Sequence, residues 1–254
     1  MKNKQHTIGM MLLAGSITQA QQEDAPTVSL NDALKNGSIM LDTRFRYETG
    51  DQDGREKSDV FSTRLRLGYE TGIFFGMKAL AEFEGTHALN GEDEYNPFPQ
   101  AGKTVIADPE NAELNRLQLA WSGANSKVAL GRQRIILDNS RWIGNIGWRQ
   151  NEQTFDGISL SNQSMEDITF YYAWIDQVNR IFGQNAPAGA MKRFHSNIHL
   201  LNIAYDALKI GKITAYNYYL DLENSAANSS NSWGISLSGK KPLGAESAYT
   251  LAYY

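Results

Sequence analysis

The sequence contains no cysteine, which excludes disulfide bonds and thiol chemistry. It has no excess of positive charge, because 28 acidic residues outnumber 24 lysines and arginines. We therefore expect no nucleic acid among its partners. Beyond the N-terminal residues, no stretch supplies the roughly 20 apolar residues that a membrane-spanning helix needs. The histidines lack metal-ligand spacing and no phosphate-binding glycine loop occurs, so we expect neither a metal nor a cofactor.

The N-terminal residues have the pattern of a secretory signal peptide. Lys2 and Lys4 precede the apolar stretch 8–17, and the small residue Ala20 comes just before a polar, acidic segment. This order predicts a signal peptide over residues 1–20, cleaved after Ala20. A short core helix is the alternative for the same residues.

A short periplasmic segment is predicted to follow, over residues 21–37. Within it, SLNDALKNG indicates a helical turn, capped by Ser29 or Asn31 and ended by Asn36 and Gly37. The rest of the chain shows the pattern of strands instead.

Residues 38–254 alternate between apolar and polar side chains. In IMLDTRFRYE, residues 39–48, Leu41 and Phe45 share one face, and the positions between them carry arginines and acids. Such alternation is typical of a strand with two chemically different faces. Ten further segments repeat it strongly or weakly: 61–70, 77–84, 116–122, 127–134, 155–161, 168–174, 198–206, 213–221, 232–238 and 247–254. We therefore predict eleven strands.

The links between these segments alternate in length. The long links are 49–58, 87–112, 136–154, 177–197 and 222–231, and the short links are 71–75, 123–126, 162–166, 207–211 and 240–245. This asymmetry predicts an all-β fold, an antiparallel up-and-down transmembrane β-barrel with its apolar face on lipid and its charged face on the lumen. Because such barrels generally have even strand numbers, an odd count indicates a barrel that is incomplete at the C-terminus.

The stretch LGRQRIILDNSRWIGNIGWRQNEQTFDGISL, residues 130–160, together with LDTRFRYE and RLRLGYETG, resembles the alginate export family of outer-membrane porins. The resemblance extends over roughly residues 38–254. It implies a monomeric barrel in the bacterial outer membrane, surrounded by lipid and without enzymatic activity. It also implies that an arginine-lined lumen passes an anionic polysaccharide or small anionic solutes.

Several residues match the motifs of that family. Arg132 and Arg134 match its basic strand end, and the loop exit of the family is matched by Trp148, Arg149, Phe155 and Asp156. The basic first hairpin is matched by Arg44, Arg46, Arg64 and Arg66. The resemblance therefore implies a pore lining that contains Arg44, Arg46, Arg64, Arg66, Arg132, Arg134 and Arg149.

The basic first hairpin can also be interpreted without the family. Its four arginines lie on one face of adjacent predicted strands, and guanidinium groups bind carboxylates through paired hydrogen bonds. This favours selectivity for anions. Acids share the same face, however: Asp42, Glu48, Glu70, Glu82 and Glu84. The arginines could therefore pair across strands and brace the wall instead, and the sequence leaves both roles open.

The end of the GRQR motif leaves a structural question open. Arg132 and Arg134 alternate in phase with apolar Val128 and Leu130. Either a bulge near Gly131 shifts the register, or the strand ends there.

The long polar link 136–154 is expected to fold inward and constrict the pore. Its candidate constriction residues are Asn139, Arg141, Trp142, Trp148, Gln150 and Glu152. The alternative is an external loop whose tryptophans pack on the rim.

Two alternatives to a pore are an outer-membrane hydrolase and a secreted binding protein. FHSNIH is similar to the motif of an outer-membrane phospholipase, but His195 and Ser196 are adjacent and would point to opposite faces of a strand. A secreted glycan-binding β-protein is the other alternative.

Overall fold

The computed structural model describes residues 8–17, 29–243 and 245–253. In these residues twelve strands form one antiparallel sheet in chain order. The strands are β1 (Ile8–Ile17), β2 (Ser38–Gly50), β3 (Ser58–Glu70), β4 (Met77–Ala88), β5 (Asn111–Gly123), β6 (Ser126–Gln133), β7 (Thr154–Asn162), β8 (Ile168–Asn179), β9 (Arg193–Tyr205), β10 (Lys212–Leu220), β11 (Ser230–Leu243) and β12 (Ala245–Tyr253). The helices are α1 (Leu30–Lys35) and α2 (Gly189–Lys192), with 3₁₀ turns at Glu92–Glu94 and Ala226–Asn228.

The all-β, up-and-down architecture predicted from the sequence is confirmed. Each of the eleven predicted strands corresponds to one of the strands β2 to β12. Within the described residues, β1 and β12 are the two edges and no pairing joins them. β1 lies in the segment assigned above to the signal peptide and pairs with β2, where Ile17 faces Leu41. The signal peptide itself stays a prediction.

The two faces of the sheet differ as the alternation predicts. One face, here called the outer face, exposes its apolar side chains, such as Phe45 at 46%, Leu65 at 49% and Leu117 at 52%. The opposite, inner face buries charged side chains, with Arg64 at 1% and Glu84 at 3% exposure. A soluble sheet would bury its apolar face, whereas an apolar face turned outward is what a bilayer requires.

Long and short links lie at opposite ends of the sheet, because consecutive strands are antiparallel. The long links are residues 51–57, 89–110, 134–153, 180–192 and 221–229, and the short links include 71–76, 124–125, 163–167 and 206–211. We call these the long-link end and the short-link end. Residues 134–153, here called the inner loop, fold back from the long-link end onto the inner face, where Gln150 and Asn151 are completely buried.

An apolar core lies between the inner loop and strands β7 to β10. Its buried members are Ile135, Ile143, Phe155, Ala173, Ile175, Val178, Ile198, Leu200, Tyr216, Tyr218 and Leu222. The rings of Tyr216 and Tyr218 stack with centroids 4.5 Å apart. Each large apolar side chain buried here contributes about 1.5–3 kcal/mol. The core therefore fixes the first part of the inner loop on the sheet.

Helix α1 lies at the short-link end. The Ser29 hydroxyl accepts a hydrogen bond from the Asp32 amide at 3.1 Å, which caps the helix. The Gly72 amide donates to the Ala33 carbonyl at 2.8 Å, and the Tyr69 hydroxyl donates to the Leu34 carbonyl. These contacts tie the helix to the link between β3 and β4. In the described residues, none of the helices has the length and apolar character needed to cross a membrane.

Candidate functional site: the inner loop and the face beneath it

The arginines of the first hairpin lie on the inner face. Arg44 is directly opposite Arg64 in the register of β2 and β3, and Arg46 is opposite Ser62. Like charges in such positions repel each other unless acceptors compensate them. Arg64 binds Asp42 and also donates to the Gln150 carbonyl at 3.4 Å. The hairpin therefore provides donors toward the inner loop.

Two of these arginines bind the backbone of the inner loop. The Arg44 guanidinium donates to the Gly147 carbonyl at 3.0 Å and to the Arg149 carbonyl at 2.9 Å. Arg46 donates to the Trp148 carbonyl at 2.6 Å. Hydrogen bonds with a charged donor are stronger than neutral ones. Three consecutive carbonyl groups of the loop are thus held by the first strand of the hairpin.

Glu152 is the centre of a second network and is 1% exposed. It accepts hydrogen bonds at 2.6 Å each from Asn115, Asn145 and Arg134. The Arg66 guanidinium lies 3.7 Å from it. Burial alone would raise the pKa of Glu152, but the hydrogen bond from Arg134 and the charges of Arg66 and Arg134 outweigh burial and lower that pKa to about 2. Glu152 is therefore held as a carboxylate.

Gln150 and Asn151 fill the space between these two networks. The Gln150 amide N–H donates to Asp108 at 2.8 Å, and its side chain donates to the Ser62 hydroxyl at 2.8 Å. The Thr86 hydroxyl donates to Asn151 at 2.7 Å. Because these groups are buried, losing a partner would leave a polar atom without water.

Trp148 and Arg149 face the long-link end. The Arg149 guanidinium lies 3.9 Å from the centroid of the Trp148 ring, which is 59% exposed. Arg149 also pairs with Glu48 at 3.3 Å, and Arg46 pairs with Asp108 at 3.3 Å. Glu48, Trp148 and Arg149 border a pocket of about 280 Å³, which residues 50–52 and 104–106 complete.

The first part of the inner loop contacts the sheet differently. Ile135 and Ile143 enter the apolar core. Between them, Asp138 adopts a positive φ of 51° and accepts hydrogen bonds from Asn202 at 3.1 Å and from Tyr218 at 3.2 Å. Asn139, Arg141 and Trp142 lie on the exposed part of the loop.

The open question about the GRQR motif has a local answer. Gly131 has a φ of 113°, and a Cβ there would lie 2.3 Å from the Leu117 carbonyl oxygen, so only glycine fits. β6 ends two residues later, at Gln133. Arg132 pairs with Asp156 of β7 at 2.8 Å, whereas Arg134 lies beyond the strand and turns to Glu152.

Two acids on the inner face bind arginines. Glu84 binds Arg66, and Glu82 accepts from Arg116 at 2.8 Å. Alternation had placed both acids on the arginine face, as possible bracing partners. Asp108 was missed, because it lies in an irregular link where no periodicity indicates a direction.

The remaining sequence candidates are not assembled into a site. Ser196 is buried and donates to the Ile175 carbonyl at 3.2 Å, whereas the neighbouring His195 is exposed. Among the described residues, no three histidine, cysteine, aspartate or glutamate side chains are grouped to hold a metal ion.

Comparison with known proteins supplies a family and a fold. A family model described as alginate export matches residues 37–244. No curated protein matches the sequence. Among solved structures, OccAB1 of Acinetobacter baumannii is similar at 20% identity with a TM-score of 0.61, over 90% of this chain and 52% of that one. OccK9 (OpdG) of Pseudomonas aeruginosa is similar at 16% identity with a TM-score of 0.57, over 84% and 56% of the two chains.

OccD3 (OpdP) of the same organism is similar at 13% identity with a TM-score of 0.55, over 87% and 48% of the two chains. At these identities the likeness shows the fold alone. The chain spans about half the length of the solved proteins that it matches.

Proposed function

The chain belongs to the alginate export family. From that premise we propose that it forms the wall and the constriction of an outer-membrane pore for anionic solutes. The family and the fold place it in the bacterial outer membrane. The outer face contacts lipid and the inner face lines the lumen. The proposed solutes are an anionic polysaccharide or small organic anions. We propose that the pore is monomeric and that it catalyses no reaction.

One observation carries this proposal: the inner loop lies across a charged inner face and both of its halves are bound to the sheet. A loop that is fixed in this way narrows a lumen by a constant amount, because its contacts hold it in one position. Its polar half is held by hydrogen bonds from Arg44 and Arg46 and by the hydrogen bond that its own Glu152 accepts from Asn115 of β5. Its apolar half is held by the core around Ile143. We propose that this loop is the constriction.

The arginines divide into two roles in this proposal. Arg64 and Arg66 are buried against Asp42 and Glu84 and brace the wall. Arg46, Arg134 and Arg149 keep part of their side chains accessible, at 12%, 27% and 12%. Each of these three arginines pairs with two carboxylates, and the accessible part of its guanidinium is the part that we propose attracts anions at the edge of the constriction. Arg132 contributes to the wall through Asp156.

The signal peptide fits this proposal as well. Removal of residues 1–20 on export would take away β1 and free the edge of β2 that it occupies. A closed barrel needs that edge for pairing, since unpaired backbone groups in hydrocarbon cost several kcal/mol each.

The test is single-channel recording of the intact protein in a planar bilayer under a KCl gradient. Arg149→Gln is expected to reduce anion preference, read as a shift of the reversal potential toward that of a cation-selective pore. Lys57→Gln is the matched control, because Lys57 is an exposed cation at the long-link end, paired with Asp59 at 3.1 Å. Equal reversal potentials for the two variants would contradict the arginine role, and absence of current steps would contradict the pore.

A further inference from the structure

A second pocket lies on the inner face, between strands β5 to β8 and the first part of the inner loop. Its volume is about 210 Å³. The lining includes Gln118, Lys127, Arg134 and Ser161. Lys127 is the second residue of β6, which starts at the short-link end, whereas Arg134 follows the last residue of that strand.

Three polar side chains of this pocket lie on the neighbouring strands β5, β6 and β7: Gln118, Lys127 and Ser161. Lys127 lies opposite Ser161 in the register of β6 and β7, and Gln118 lies on the neighbouring strand β5. Within the described residues, none of these three side chains makes a hydrogen bond or an ion pair. The other cation, Arg134, is bound to Glu152. Lys127 is therefore the uncompensated positive charge of the pocket.

Two further polar side chains of the lining, Ser159 and Gln133, are hydrogen-bonded within the protein. The Ser159 hydroxyl donates to the Gln133 side-chain oxygen at 2.6 Å, and Gln133 donates to the Gly157 carbonyl at 3.2 Å. Ile135, Ile136 and Leu137 supply an apolar side. Among the described residues no acid lines this pocket, whereas Glu48 and Asp51 line the pocket beside Trp148. Glu152 and Glu82 lie behind Arg134 and compensate its charge, so Lys127 is the cation that would attract an anion here.

We propose that this pocket binds a carboxylate carried on a single six-membered ring. The carboxylate would bind the Lys127 ammonium group, Gln118 and Ser161 would donate to it or to ring substituents, and the ring would pack against residues 135–137. The volume corresponds to about seven water molecules, which fits one such ring. The inference rests on the proposed function, because it takes the inner face to be a lumen.

The test is ligand binding to the intact protein in detergent micelles, measured by saturation-transfer NMR with three probes. The probes are glucuronate, cyclohexanecarboxylate and glucose. Both carboxylates are expected to bind and glucose is not. Lys127→Met should weaken carboxylate binding about tenfold, as expected for the loss of a charged hydrogen-bond partner, whereas Lys127→Arg should retain it. Lys209→Met, which removes an exposed lysine from the link 206–211, is the matched control and should change nothing.

The outcomes separate this site from the pore. Carboxylate binding that depends on Lys127 supports the site, whether or not bilayer recordings show current steps. Equal binding to the native protein and the Lys127→Met variant overturns the site, as does binding of glucose that equals that of glucuronate. Current steps without Lys127-dependent binding would overturn the site and leave the pore intact.

Discussion

The two halves of the inner loop are held against the same sheet by different forces. Residues 135–143 pack apolar side chains against strands β7 to β10, with Asp138 as the polar contact. Residues 147–152 instead place carbonyl groups and a carboxylate on the arginines and amides of strands β2 to β5. Apolar packing tolerates small shifts, whereas buried charges tolerate none without loss of a partner. The polar half should therefore set the position of the loop, and the apolar half should keep it folded inward.

The largest expected effect is on the polar half. Glu152→Ala leaves Arg134, Asn115 and Asn145 without their common acceptor, and breaking a buried charge pair costs about 3–5 kcal/mol. We expect a lower free energy of unfolding in denaturant titrations and a noisier open-channel current. Glu94→Ala is the matched control, since Glu94 is exposed and lies 3.8 Å from Lys103. If the two variants have equal stability, the polar half does not hold the loop.

The second largest effect is expected for a substitution in the apolar half of the loop. Ile143→Ala removes buried methyl groups from the core, and we expect a loss of roughly 2–3 kcal/mol, because a loop can partly relax into the cavity. Ile146→Ala, at a position that is 36% exposed, should have little effect on the denaturation midpoint. Because no charge is involved, the selectivity of the current should stay that of the native protein. A change in reversal potential would show that the two halves are not separable.

A smaller loss of stability is expected at Asp138, the polar contact within the apolar half of the loop. Asp138→Ala removes the acceptor of Asn202 and Tyr218, which should cost about 1–2 kcal/mol. Thermal unfolding monitored by tyrosine fluorescence would detect it. Asp53→Ala, in an exposed link, serves as the control. A neutral result for Asp138→Ala would mean that apolar packing alone fixes this half.

The smallest effect near neutral pH concerns titration. The pKa of Glu152 lies at about 2, below its usual value of 4.5. A depressed pKa stabilises the folded state fully above pH 4.5, and this contribution is lost as the pH falls from 4.5 toward 2. The difference in channel noise between the native protein and the Glu152→Gln variant should therefore be constant from pH 7 to about pH 5 and shrink only in more acid solution. A difference that already shrinks between pH 7 and pH 6 would contradict the assigned state of Glu152.

The strands could be predicted from the sequence because two-residue alternation is a direct consequence of strand geometry. Leu41 and Arg44, or Leu65 and Arg64, could be assigned to opposite faces before any contact was known. Alternation fails where the register shifts. β8 continues five residues past Trp174, to Asn179, but the shift between Ile175 and Gln177 hid this extension, so Trp174 lies inside the strand and not near its end.

The contacts of the inner loop could not be predicted in the same way. Ile135, Ile143 and Asp108 lie in irregular segments, where direction depends on tertiary contacts and not on a period. Gly131 was visible as a possible irregularity, but its positive φ and the closeness of the Leu117 carbonyl, which leaves no room for a Cβ, could not be predicted. Which acid each arginine binds also depended on residues far away in sequence.

The most direct test is to fix the inner loop where the structure has it. Because the chain contains no cysteine, Thr86→Cys and Asn151→Cys introduce a single thiol pair at side chains that are 2.7 Å apart. A short thiol-reactive crosslinker should join them in high yield, and the crosslinked protein should conduct like the native protein. The pair Thr86→Cys and Asn139→Cys, with its second site on the exposed part of the loop, should not crosslink. Failure of the first pair to crosslink, or a conductance that changes when it does, would contradict a constriction formed by a fixed inner loop.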